Sequence, residues 1–408
     1  MIPKLLLKRF FRSSTSILAK KPFNKESTSL LGRSSSKLSI GIVGLANVGK
    51  STFFQAITKS NLGNPNNYPF ATIKPEESIY PIPSDRLKDL QKIFQSDKIL
   101  TSYLKIVDIA GLVRNASKGE GLGNQFLADI QNTDGIFHIV RGFDDEEIIH
   151  VENSINPIRD LEIVNDELIL KDLDLIESAT MRLNKSLKSM NGEDRKNSEL
   201  EIEILGKFEE LFFENNKGLI NFVGNFNNKE IEILNKYHFL TAKPTLYLLN
   251  VSKEDYLSGE NKYFDNVKDW ILENSPSSKL LMFSADHEHS LLDTESESKV
   301  INQMVSSMKN ELNLISFYTC GPKESREWNI KKFSNIKTGA ALIHTDLSKN
   351  FINVQVAKHE ELMKLYKELN VPNGEELSKL IKWNKHGKDY TIDDGDVIII
   401  KAVGAKTR

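Results

Sequence analysis

The run Gly44-Leu45-Ala46-Asn47-Val48-Gly49-Lys50-Ser51 has the spacing of a phosphate-binding loop at every fixed position. Its two glycines let the backbone curl so that successive N–H groups point at phosphate oxygens. A helix opening at Lys50 adds a positive N-terminal end. The expected phosphate-binding positions are Ala46, Asn47, Val48, Gly49, Lys50, Ser51 and Thr52. The Lys50 ammonium is expected at the β- and γ-phosphates, and the Ser51 hydroxyl on Mg²⁺. Asp108-Ile109-Ala110-Gly111 follows an apolar run, and an acid at that place holds Mg²⁺ in this class of enzyme. Gly111 can bring its N–H to a γ-phosphate without a side-chain clash. Thr72, in Asn67-Tyr68-Pro69-Phe70-Ala71-Thr72, is the candidate for a second hydroxyl on the metal, closing when a γ-phosphate is present. The expected catalytic set is thus Lys50, Asn47, Thr72 and Gly111, and the metal set Ser51, Thr72 and Asp108.

Such a site needs a strand before the loop and a helix after it. Leu38–Val43 supplies the strand pattern, and the helix starts near Lys50. Further apolar runs at Leu104–Val107, Ile136–Val140, Thr245–Leu249 and Leu280–Phe283 read as buried parallel strands separated by helical patterns. The fold class is α/β, a P-loop NTPase G domain with a doubly wound, mostly parallel sheet. Residues 158–190 and Ser198–Glu214 have helical apolar spacing about a Met190-Asn191-Gly192-Glu193-Asp194 turn, which predicts an inserted α-helical hairpin. Ala340–His344 and Phe351–Val356 alternate like strands, and Tyr390–Asp396 reads as a turn into Val397–Ile400. A small α+β domain is expected there. The expected boundaries are 1–37 leader, 38–150 and 236–312 G domain, 151–235 helical insertion, and 313–403 C-terminal domain.

Residues 1–37 contain nine Lys/Arg and one acid, Glu26, with many serines. Taking these from the chain's 54 basic and 56 acidic residues leaves 45 against 55, a net of −10. A basic, Ser-rich, amphipathic leader predicts an organelle transit peptide, mitochondrial matrix first and cytoplasm as the alternative. A basic tail that touches RNA or membrane is the plainer reading. No apolar run approaches the roughly eighteen residues a membrane span needs. Cys320 is the single cysteine, so no internal disulfide can form. His287 and His289 are expected in a solvated loop, not on a metal. His138, inside an apolar strand, is expected in the core.

The motifs Gly44–Ser51, Asn67–Thr72 and Asp108–Val113 resemble the Obg-related branch of translation-factor GTPases. The runs Gly119–Leu127 and Asp134–His138 narrow the resemblance to the YchF, or Obg-like ATPase, group. Tyr390–Asp396 resembles the end of that group's TGS domain, a ubiquitin-like β-grasp. The resemblance implies ATP preferred over GTP, and work near the ribosome, ribosomal RNA or stress responses. It implies no DNA partner and leaves the oligomeric state open. G domains read guanine with an Asn-Lys-x-Asp run whose last acid accepts the base's N–H groups. Here Asn250-Val251-Ser252-Lys253 puts a donor-only lysine at that place. Asn250 can still pair with adenine, and Asn250, Val251, Ser284 and Ala285 are the expected base contacts. The group usually has Glu where Lys253 stands.

Leu112 stands where Ras-like enzymes orient water with glutamine. Intrinsic turnover is therefore expected at roughly 10⁻² s⁻¹ or below. Asn47 resembles an asparagine that holds K⁺ in related GTPases, which would offset developing charge; the alternative is that it stabilises the loop. An ordinary GTPase remains a second reading. A nucleotide-gated RNA- or ribosome-binding module is a third, with Lys382, Lys385, His386 and Lys388 as its basic cluster.

Overall fold

The computed structural model describes residues 30–32, 38–60, 77–109, 128–291, 298–369 and 380–403. Thr72, Gly111, Leu112 and the glycines at 119, 121 and 123 lie outside the described residues, as does the leader up to residue 29. The chain folds as two compact units that interleave in sequence. Strand β1 (Ser39–Val43) contributes its start to one and its end to the other.

The first unit takes residues 41–50 and 109–286 with the short stretch 30–32. Its strands run β1-β5-β6-β7, with β5 at Gly135–Arg141, β6 at Thr245–Asn250 and β7 at Lys279–Phe283. The strands β5, β6 and β7 are parallel, and their registers bring Arg141, Asn250 and Phe283 level at the carboxyl edge. All of β5 is buried, which is why its sequence is continuously apolar apart from His138 and Arg141. Helix α1 (Lys50–Ser60) follows the loop after β1, and all but its first residue belongs to the second unit.

The helical insertion forms in the same unit. Helix α3 (Pro157–Leu187) starts at Asn156, whose side chain accepts from Arg159 N, with proline in its first turn. A short turn leads into α4 (Gly192–Asn215), and Gly192 takes φ 64° there. Helix α4 begins six residues before the expected Ser198 because Glu193 and Asp194 suit the positive end of a helix. Ile169, Ile176 and Ala179 of α3 pack with Ile204, Leu205, Phe208 and Phe212 of α4. Helix α5 (Asn228–Tyr237) adds Ile231 and Leu234 to this cluster.

The second unit holds β2 (Glu77–Pro81) antiparallel to β4 (Tyr103–Asp108), with β4 next to the start of β1. It also holds a six-stranded sheet in the order β11-β10-β12-β8-β9-β3. Its strands are β8 (Leu314–Cys320), β9 (Glu324–Lys331), β10 (Phe351–Lys358), β11 (Asn384–His386), β12 (Asp396–Ala402) and β3 (Lys98–Leu100). Helix α2 (Asp85–Phe94) buries Leu87, Leu90 and Ile93 with Tyr318, Leu362 and Val397. A stretch from before residue 101 thus completes a sheet made mostly of residues past 313. Ala340–His344 is not a strand. It lies in a helix, Ile336–Ile343, because Asn335 caps Thr338 N and Ile336, Gly339 and Ala340 fall on one buried face. His287 and His289 stand on a short helix, Ala285–Ser290, where a loop was expected.

Candidate functional site

The loop after β1 closes round its own lysine. Lys50 is buried and donates from Nζ to the carbonyls of Gly44 (3.1 Å) and Leu45 (2.6 Å). The extended stem is thereby held along the inside of the loop. Gly44 cannot be replaced cheaply, since a Cβ there would meet the Ile139 carbonyl at 2.4 Å. Gly49 has φ +97°, and a Cβ on it would lie 2.3 Å from Asn250 Nδ2. Asn47 takes φ 62°, a left-handed conformation that asparagine tolerates, and its Nδ2 donates to Ile149 O at 2.9 Å. Helix α1 has no acid in its first turn, so its positive end keeps its pull on an anion. Ser51 is exposed and Thr52 half-buried in that turn. A backbone curled at Gly44 and Gly49 with a buried ammonium bonded to its carbonyls fits a polyphosphate.

Asn250, at the end of β6, is 3% exposed and ties three segments together. Its Nδ2 donates to Val48 O (3.0 Å), and its Oδ1 accepts from Ala285 N (2.9 Å). Ser284 is fully buried, Ala285 nearly so, and Val251 N is held by Phe283 O at 2.8 Å. The amide was expected to meet a base; what the structure shows is that it braces the phosphate loop against the 284–285 turn. That brace could have been sought in the sequence, since an amide after a buried strand has donors and acceptors to satisfy. Lys253 is half-buried in the first turn of the helix Lys253–Ser258, after the N-cap Ser252. Asp255, two residues on, is engaged by Asn261, whose Nδ2 donates to its carboxylate at 2.6 Å.

Arg141 was not singled out from the sequence. At the end of β5 it is almost fully buried and donates to the carbonyls of Phe143 (3.2 Å), Asp145 (3.1 Å) and Ile148 (3.0 Å). It folds residues 142–150 into the loop whose Ile149 carbonyl receives Asn47. The loop's far end is pinned by His150, which bonds Asp160 at 2.8 Å and accepts Glu152 N on Nδ1. His138 lies in the core, 5.3 Å from Tyr247 by ring centroids. Burial, and then the charge of Lys50, push its pKa down to about 3, so it stays neutral.

In the second unit, Asp108 ends β4. Ser51 and Asp108 are hard oxygen donors of the kind Mg²⁺ takes alongside nucleotide phosphates. Among the described residues no group of three or more His, Cys, Asp or Glu could hold a metal by itself. No described helix is long and apolar enough to cross a membrane.

With this geometry in view, similarity to known proteins is informative. Residues 39–171 match the profile described as 50S ribosome-binding GTPase. Residues 314–403 match the YchF GTPase C-terminal profile, described as a protein of unknown function. The "Obg-like ATPase homolog" of Saccharomyces cerevisiae is 46% identical over 400 residues, covering 93% of this chain and 98% of that protein. The chain belongs to the Obg-like ATPase, or YchF, family. The "Obg-like ATPase 1" of Xenopus laevis is 40% identical over 383 residues, covering 91% and 94% of the two chains. The structure of the Schizosaccharomyces pombe YchF GTPase superimposes with a TM-score of 0.77 at 37% identity, covering 91% of this chain and all of that one. The fold is accordingly that of a P-loop GTPase domain carrying a YchF C-terminal domain.

Proposed function

We propose that this chain is an ATP-binding and ATP-hydrolysing switch. The observation that carries this is the pairing of an intact phosphate cradle with Lys253, a donor-only residue, where a guanine-reading acid would stand. Guanine presents N–H groups there and would find no acceptor. One oxygen of the nearby Asp255 carboxylate is engaged by Asn261. Adenine presents an amino group and a ring acceptor, which the remaining amide hydrogen and lone pair of Asn250 suit, with the Ser284–Ala285 turn alongside.

Mg²⁺, when bound, neutralises charge on the β- and γ-phosphates. Ser51, Thr72 and Asp108 are the residues that would hold it. Lys50 then binds the same phosphates, and the N–H groups of 46–49 orient them. Burial and the charge of Lys50 hold His138 far below its ordinary value, which makes it a poor base for water. Turnover without a stimulus is accordingly slow, roughly 10⁻² s⁻¹ or below. K⁺ at the Asn47 amide oxygen is the proposed accelerator, its amide nitrogen being committed to Ile149. The ribosome or ribosomal RNA is the proposed partner, reached through the exposed Lys382, Lys385 and Lys388. A mitochondrial matrix location rests on the basic leader alone.

The "Obg-like ATPase" names of the relatives support the adenine reading. The S. pombe neighbour is described as a GTPase, which keeps GTP as the second reading. Competition of unlabelled ATP and GTP for a bound fluorescent nucleotide separates the two; tighter binding of GTP refutes the proposal. Turnover measured in K⁺ and again in Na⁺ tests Asn47, and equal rates remove the K⁺ role. Lys50→Ala should lower turnover at least about 100-fold. Retained ribosome co-sedimentation in that variant would favour a binding module over a switch. A fusion of residues 1–40 to a fluorescent protein checks location, and cytosolic fluorescence refutes the leader.

A further inference from the structure

Helix α5 carries a two-point backbone grip. Asn235 donates from Nδ2 to Leu30 O at 3.0 Å and accepts Gly32 N on Oδ1 at 2.7 Å. One amide thus reads a carbonyl and an N–H two residues apart, as a neighbouring strand would. Between these bonds Leu31 packs against the apolar cluster that α5 shares with α3 and α4. Gly32 has φ +94°, a conformation in which a side chain would be strained. All of these groups belong to the first unit.

We infer that Asn235 and the apolar surface beside it form a binding site for a short backbone segment, occupied in cis by the chain's own Leu30–Gly32. These residues are therefore part of the folded helical unit, although their composition groups them with the basic leader. A leader peptidase must then cut upstream of Leu30, not at the foot of β1. This second half rests on the leader reading; the grip itself does not. The strap is specific: Asn235 reads only backbone, and Leu31 supplies the apolar anchor.

Hydrogen exchange on the full chain tests the grip. The Gly32 amide should exchange at least about tenfold more slowly than an unstructured peptide, which corresponds to a bond worth forming. Asn235→Ala should abolish that protection, and Leu31→Ser, placed on the strap and leaving the helix untouched, should abolish it too. Melting temperatures of the two variants and their combination should be less than additive. Free exchange at Gly32 in the unaltered chain, or strictly additive losses, overturns the proposal. Mass spectrometry of the chain recovered from organelles tests the corollary. A mature N-terminus at or before Leu30 agrees with it, and one between residues 31 and 38 refutes it. A chain still beginning at Met1 refutes the leader while the exchange result decides the grip.

Discussion

At the scale of single residues, the site depends on close approach more than on charge. Gly49 and Asn250 are in contact because Gly49 has no side chain. Gly49→Ala combines a left-handed φ with a clash at 2.3 Å, and should cost about 1–3 kcal/mol and weaken nucleotide binding. Asn250→Ala leaves the Val48 carbonyl and the Ala285 N–H without their partner, for about 1–3 kcal/mol. The double variant should be more stable than the sum of the two losses, since the second change removes the atom that the first one strikes. Urea unfolding of the four proteins measures this, and simple additivity would remove the proposed contact. Asp172 is the second residue-scale case. On α3 it accepts from Leu240 N (2.8 Å), Thr241 N (2.8 Å) and Thr241 Oγ1 (2.7 Å). Burial pushes its carboxyl up to about 6, against the opposite pull of those bonds and of Lys243. The folded state therefore favours the protonated form. This group's contribution to stability is greatest below about pH 4 and falls as pH rises through 6. Asp172→Asn should flatten that part of the melting-temperature profile, at a uniform cost of about 1–3 kcal/mol for the imperfect amide. Profiles that stay parallel from pH 4 to 7 would contradict the shift.

At the scale of elements, local signals and tertiary packing divide the work. Helix α5 shows a complete capping box, in which Asn227 accepts from Glu230 N while the Glu230 carboxylate accepts from Asn227 N. Asn227→Ala should destabilise by about 1 kcal/mol. Because α5 also holds the strap, exchange at Gly32 should speed up in the same variant; unchanged protection there would show that the grip does not depend on the helix end. The core strands were legible because a strand buried on both faces is apolar along most of its length, as β5 is apart from His138 and Arg141 and β6 is between Thr245 and Asn250. The helix Ile336–Ile343 was not. Its run of Gly, Ala and Ala has weak periodicity, and only the cap at Asn335 and the burial of Ile336, Gly339 and Ala340 decide it. The edge strand β3 was also hidden. Three residues of mixed polarity say nothing until β9 is beside them in parallel register.

At the scale of the whole molecule, a ligand that binds only the folded state raises stability by mass action, about 2.7 kcal/mol at a concentration of 100 Kd. ATP with Mg²⁺ at that concentration should therefore raise the melting temperature by about 3–4 °C, and equimolar GTP by much less. Equal shifts would count against the reading of Lys253. The sequence by itself determined the phosphate loop, the acid at the end of β4, the buried strands β5 and β6, and the helical hairpin. Each of these is written in neighbouring residues: glycines where the backbone must curl, apolar runs where both faces are covered, charges at helix ends. Only the tertiary structure decided that Asn250 braces the phosphate loop, that Arg141 folds the loop receiving Asn47, that Lys98–Leu100 complete the C-terminal sheet, and that Asn235 grips Leu30–Gly32. Apart from the short-range bonds of Arg141, these contacts join residues tens to hundreds of positions apart. The free energy that selects them comes from satisfying buried donors and acceptors, and which atoms are buried together is settled only once the chain has folded.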